Sequence, residues 1–209
     1  MAKRFFETFP ALILEDELKD LFEFAEVTAL KYNRDRTAIH VYLLCRRLIS
    51  KPQIYAVESK IEKQMFPDGD MKIHIFESFS LSEQYTPSYL VDVYKDSLFA
   101  EIKRRSDLDY HILMRADWKV ADDDSLLLTL EDSLWARNRA GELREWIQMV
   151  FYDRCAISIP VAVSFKERDT TAIEEEKKRA EAQAIARIMK ANSVASKEKE
   201  DEFIDTASA

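Results

Sequence analysis

The spacing of apolar residues switches between helical and alternating periods along this chain, and each switch marks an element. Leu14, Leu18, Leu21 and Phe22 recur at helical spacing. Residues 27–44 then alternate, with Ile39, Val41 and Leu43 on one side and His40 and Tyr42 on the other. Asn33-Arg34-Asp35-Arg36 interrupts that stretch with residues that tolerate turn backbone, which predicts a hairpin. Pro52 opens a helix carrying Ile54, Val57, Ile61 and Met65. Residues 67–70 turn the chain, and Met71, Ile73 and Ile75 share one face of a third strand.

Residues 77–88 are polar and read as a linker, with Thr86 as N-cap and Pro87 at the first helical position. The following helix points Leu90, Val93, Tyr94, Leu98 and Ile102 inward. Residues 116–120 and 126–130 read as strands on either side of an Asp-rich turn. A helical stretch starts near Ser133 and is expected to break or kink near Gly141. Its second part carries Leu143, Trp146, Ile147, Val150 and Phe151 as one stripe. Residues 155–165 read as a strand, with Pro160 arguing for an edge or a bulge.

Both halves thus show the order helix, strand, strand, helix, strand. The expectation is an α+β protein with two α-β-β-α-β units, residues 1–80 and 81–170, each a three-stranded antiparallel sheet covered by helices. Units of this size are marginal alone, so they are expected to pack together or lean on a partner. Residues 171–209 form a third segment. Glu174, Glu175 and Glu176 suit the N-terminus of a charged helix with a thin stripe of Ile185, Ile188 and Met189, and the last residues have the composition of a disordered tail.

Composition excludes several functions. With only 2 glycines in the chain, neither a phosphate-cradling loop nor a dinucleotide fingerprint can be written. The net charge of −8 argues against steering of the whole protein to nucleic acid. Local clusters (Arg34 with Arg36, Arg46 with Arg47, and Lys103-Arg104-Arg105) read as solvated surface. No run approaches the ~20 apolar residues of a membrane span. The N-terminal apolar run meets Glu15 and Asp16 without a cleavage site, so no leader is expected. Cys45 and Cys155 sit in apolar segments, consistent with reduced core thiols and a cytoplasmic protein. His40, His74 and His111 lack metal-ligand spacing, and Asp122-Asp123-Asp124 lacks the later ligands of a calcium loop. No nucleophile elbow exists. No catalytic residue, metal, cofactor or small-molecule substrate is expected.

The stretch most open to a binding role is Asn138-Arg139-Ala140-Gly141. In KH modules a G-x-x-G turn between two helices clamps the nucleic-acid backbone. Here Asn138 takes the first glycine position, Arg139 would face a phosphate, and Gly141 completes the turn. The matching place in the first half, residues 46–53, has no glycine, so a packing kink is preferred over a clamp. Trp135, flanked by Arg137 and Arg139, is the aromatic residue most open to an exposed contact, and Arg104 and Arg105 add a basic helix end.

The order and spacing of four stretches, residues 22–44, 52–66, 128–165 and 174–189, resemble the N-terminal region of PolC, the replicative DNA polymerase III alpha subunit of low-GC Gram-positive bacteria. The resemblance runs over about residues 15–190. It implies two KH-like units, the second similar to the C-terminal domain of the clamp-loader tau subunit, and a charged helix leading toward an OB domain. It also implies a non-catalytic interaction region in DNA replication, with the clamp loader or helicase as partners. The polymerase, exonuclease and PHP parts of that family lie downstream and are not written here. Single-stranded nucleic acid, held through Arg139 and the basic hairpin turn, is the alternative partner.

Overall fold

The fold begins with a two-residue strand, β1 (Lys3–Arg4), running directly into a one-turn helix, α1 (Phe5–Thr8). The computed structural model describes residues 2–82 and 84–167, so the charged helix and tail expected from residue 171 lie outside the described residues. After α1 come α2 (Asp16–Phe22), β2 (Glu26–Tyr32), β3 (Ala38–Cys45), α3 (Lys51–Met65) and β4 (Lys72–Phe79). The β2–β3 hairpin closes where predicted. The Asn33 side-chain carbonyl accepts from the amides of Thr37 at 2.8 Å and Ala38 at 3.0 Å, and Arg36 takes a left-handed backbone with φ 55. Ser50 precedes α3, and Gln53 reaches back to its amide at 3.0 Å, with Pro52 in the first turn.

The second half runs α4 (Pro87–Arg105), α5 (Asp107–Met114), β5 (Asp117–Val120), β6 (Leu126–Glu131), α6 (Leu134–Cys155) and β7 (Val161–Lys166). Thr86 accepts from the Tyr89 amide at 3.3 Å, as expected of its N-cap. Ser106 ends α4 and caps α5 through the Asp109 amide at 3.2 Å, so the second half starts with two helices where one was read.

The strand order is β1-β2-β3-β4 in one sheet and β5-β6-β7 in the other. In each, an antiparallel hairpin is followed by a parallel pair, β3/β4 and β6/β7. The sheets are therefore mixed rather than antiparallel, because α3 and α6 return the chain to the starting end before the last strand forms. The first sheet also gains β1 as a fourth strand, hydrogen-bonded to β2.

Four further features differ from the reading of the sequence. β4 runs through Phe79 into the supposed linker, with Glu77 and Phe79 both buried. On α4, Val91 turns inward and Val93 is exposed. α6 is one helix of 22 residues, unbroken at Gly141. A mid-helix glycine costs only about 1 kcal/mol, less than the burial of Leu143, Trp146, Ile147, Val150 and Phe151 returns. α6 ends at Cys155 with Ala156 in a left-handed cap, φ 55, so residues 157–160 form a loop and only the rest of the expected strand is β7. β7 is an edge strand, as Pro160 suggested.

Residues 1–166 form one unit with a contiguous core. Val41, Leu43, Ile73 and Ile75 come from the first sheet, and Leu126, Leu128 and Leu130 from the second. Leu90, Tyr94, Leu98 and Ile102 of α4 belong to the same cluster, with α4 against α3 and α6 against β4.

Candidate functional site

The buried charges of this core meet where the two halves join. Lys51 Nζ donates to Glu77 at 2.7 Å, and the Tyr94 hydroxyl donates to the same carboxylate at 2.9 Å. Arg154 of α6 lies 3.4 Å from Glu77 and donates to Tyr94 at 3.1 Å and Glu101 at 2.8 Å. The Glu77 side chain is 0% exposed, which a carboxylate tolerates only with such partners. Burial works against charge on Arg154, but Glu77 and the neighbouring Tyr94 and Glu101 outweigh it and raise the guanidinium further. Burial, reinforced by Glu77, pushes the Tyr94 hydroxyl up. The Lys51, Glu77 and Arg154 side chains are buried or nearly so, and their charged ends meet one another. Its chemistry is that of a lock between β4, α3, α4 and α6.

A second polar device protects β4. Glu58 Oε1 accepts from the Ile75 amide at 2.7 Å, and Glu62 Oε1 from the Ile73 amide at 2.9 Å. Four residues of helix rise ~6 Å and two residues of strand ~6.6 Å, so an i, i+4 pair of glutamates on α3 matches alternate amides of β4. The carboxylates fill the hydrogen-bonding edge that an added strand would need. Burial raises the Glu58 carboxyl against the lowering effect of the Ile75 amide.

The predicted contact residues fall on the surface of α6 and the end of α4, in distinct states. Trp135 is 62% exposed in the first turn of α6, after the Ser133 N-cap. Arg137 makes a two-pronged pair with Asp132, both contacts 2.6 Å, and lies over the Phe165 ring. Arg139 makes a two-pronged pair with Asp109 at 2.8 and 2.7 Å and also pairs with Glu142. Asp109 is 1% exposed, and the hydrogen bonds from Arg139 hold its carboxyl below the usual range. Asn138 and Gly141 lie inside continuous helix, so no G-x-x-G-like turn exists there, and the Arg139 guanidinium is held by α5 rather than presented to a phosphate. Arg104 stacks 3.3 Å over the Tyr55 ring and pairs with Glu58 at 3.8 Å, while Arg105 is exposed beside it.

The strand histidines meet across the parallel pair. His40 and His74 are register partners with ring centroids 5.8 Å apart, on the sheet face that also carries Tyr42 stacked on Phe76. Among the described residues, no group of three or more His, Cys, Asp or Glu side chains is placed to hold a metal ion. Burial pushes the Cys45 thiol up to about 12 and the Cys155 thiol up to about 11. No described helix is long and apolar enough to cross a membrane.

Besides the buried charges of the core, a cationic cleft escaped sequence reasoning. Arg4, Arg46 and Arg47 line a single cleft of about 390 Å3 with Leu21, Phe24 and Glu26. Arg46 and Arg47 were legible as a basic pair. Arg4 joins them only because β1 pairs with β2, and β2 with β3.

Residues 4–75 match the family model for the DNA polymerase III polC-type N-terminus I. The match spans the first sheet from Arg4 to the middle of β4, and the model describes an N-terminal part, not a catalytic domain. No match is found among the curated proteins.

Proposed function

We propose, from the polC-type N-terminal segment at residues 4–75, that this chain is the non-catalytic interaction region of a bacterial replicative DNA polymerase, docking to other proteins of the replication machinery. The family match carries the reading. The repeated topology, a hairpin followed by a parallel strand reached through a helix, supports it as the pattern expected of two KH-like units at residues 1–80 and 81–170. The clamp loader and the helicase are the partner classes it favours. Trp135 is an exposed aromatic anchor offered by α6, with Arg137 and Arg139 on the same helix and Arg104 and Arg105 at the end of α4, and large exposed aromatics are the residue type that interfaces favour. Single-stranded DNA is disfavoured as the ligand of residues 138–141, because a phosphate would have to displace Asp109 from Arg139.

The test uses the chain with purified clamp-loader and helicase subunits and, separately, labelled single-stranded DNA at low salt. Saturable capture of a subunit, weakened by Trp135→Ala, is expected. Capture of neither, together with DNA binding tighter than about micromolar that Arg139→Ala abolishes, would replace docking by nucleic-acid binding.

A further inference from the structure

The arginine cleft does not stand alone. Leu21 and Arg47 also line an adjoining groove of about 410 Å3 with Leu48, Tyr85, Tyr89 and Val93. Phe24, Tyr89 and Val93 are 52%, 52% and 42% exposed, so the two hollows form one surface with a cationic end and an apolar end. In the cleft, Glu26 is the one carboxylate among the lining residues, facing three guanidiniums. Arg46 reaches it only at 3.9 Å, and Arg47 lies 5.8 Å over the Phe24 ring. Among the described residues, Arg4 and Arg47 have no ion-pair partner. A chain of net charge −8 therefore gathers unneutralised arginines beside exposed apolar side chains.

We propose that this surface binds an acidic segment of a partner protein. Its carboxylates would meet Arg4, Arg46 and Arg47, and an adjacent apolar side chain would enter the groove between Leu48, Tyr89 and Val93. Charge complementarity selects the sign of the partner, since guanidiniums pair carboxylates with two-pronged geometry. The apolar end selects a peptide over a nucleic-acid strand. A strand carries a phosphate at every nucleotide and would meet the acidic remainder of the chain beyond the three arginines, whereas a peptide can confine its charge to the cleft. The proposal rests on the docking reading and gives it a place and a chemistry.

A random peptide display library selected on the full chain tests it, followed by anisotropy titration of the enriched peptides. Peptides combining Asp or Glu with a Leu, Phe or Trp anchor are expected. Their affinity should fall by about tenfold or more in Arg46→Glu/Arg47→Glu and weaken as salt rises. Tyr89→Ala should weaken binding without changing that salt dependence. Circular dichroism verifies that each variant is folded. Enriched peptides lacking acidic residues, or binding unchanged in the double variant, would overturn the proposal. So would a labelled oligothymidylate that competes for the arginines and binds more tightly. Capture of purified replication subunits separates this idea from docking itself: capture that persists in the folded double variant sinks the cleft and leaves docking standing.

Discussion

Replacing Gly141 with alanine adds one methyl group to the middle of α6, and the structure determines what that methyl does. Gly141 has ordinary helical backbone, since the positive-φ residues among the described ones are Arg36, Asp124, Ala156 and Gly69. A β-carbon built at Gly141 meets nothing within 4 Å. No packing term opposes the change, so the helix-propensity difference of about 0.8–1 kcal/mol acts alone, in the direction of stabilisation. For a domain of this size that corresponds to a rise in Tm of ~2–4 °C. Urea unfolding followed by far-UV circular dichroism, with the fluorescence of the 3 tryptophans as a second probe, gives the free-energy difference from the shift in midpoint at unchanged slope. A turn at residues 138–141 would give the opposite result, because alanine is strained at positive φ and would cost more than the propensity gain. Gly141→Ala destabilised by about 1 kcal/mol would therefore refute the continuous helix and restore the clamp-like turn.

Removing the Glu77 carboxylate strands Lys51 in the core and leaves Arg154 only Glu101 as a counter-charge, so Glu77→Leu should cost ~3–5 kcal/mol in denaturant unfolding. The double change Lys51→Met/Glu77→Leu, which leaves Arg154 on Glu101, should recover most of that loss, and a double variant no more stable than the single one would contradict the network's role. Because Arg139 holds the Asp109 carboxyl below its usual range, the stabilisation is present above the unfolded value of about 4 and is lost as pH falls through the lower folded value. The stability gap between wild type and Asp109→Asn should accordingly shrink below about pH 4, and a gap independent of pH would rule the linkage out. Glu58→Ala leaves the Ile75 amide unpaired at the sheet edge and should cost about 1–3 kcal/mol, whereas Glu58→Gln keeps an acceptor and should cost less. Equal losses would show that the charge, not the acceptor, matters. The thiols of Cys45 and Cys155, buried and raised to about 12 and about 11, should resist a thiol reagent at neutral pH in the native protein and react fully in urea.

Local chemistry settled much of this protein from its amino-acid sequence alone. The Asn33 hairpin, the Thr86 cap, the start of α6 near Ser133 and the buried stripes of α3 and α6 each depend on side chains a few residues apart, and such signals survive whatever the rest of the chain does. The recurrence of one α-β-β-α-β order in both halves was legible for the same reason. Tertiary structure decided wherever an outcome depended on distant partners. Glu77 looks like linker until Lys51, Tyr94 and Arg154 converge on it, and only then can β4 continue through a buried carboxylate. Gly141 looks like a break until the burial of α6's apolar stripe exceeds the small cost of glycine. The parallel pairing of β4 and β7 follows from where the preceding helices deliver the chain. Arg4 is some forty residues from Arg46, and only the β1-β2-β3 ladder sets their guanidiniums around one cleft. Periodicity reports which face of an element is apolar, but the neighbour on that face, and hence the fate of a charge placed there, is fixed by contacts far apart in sequence.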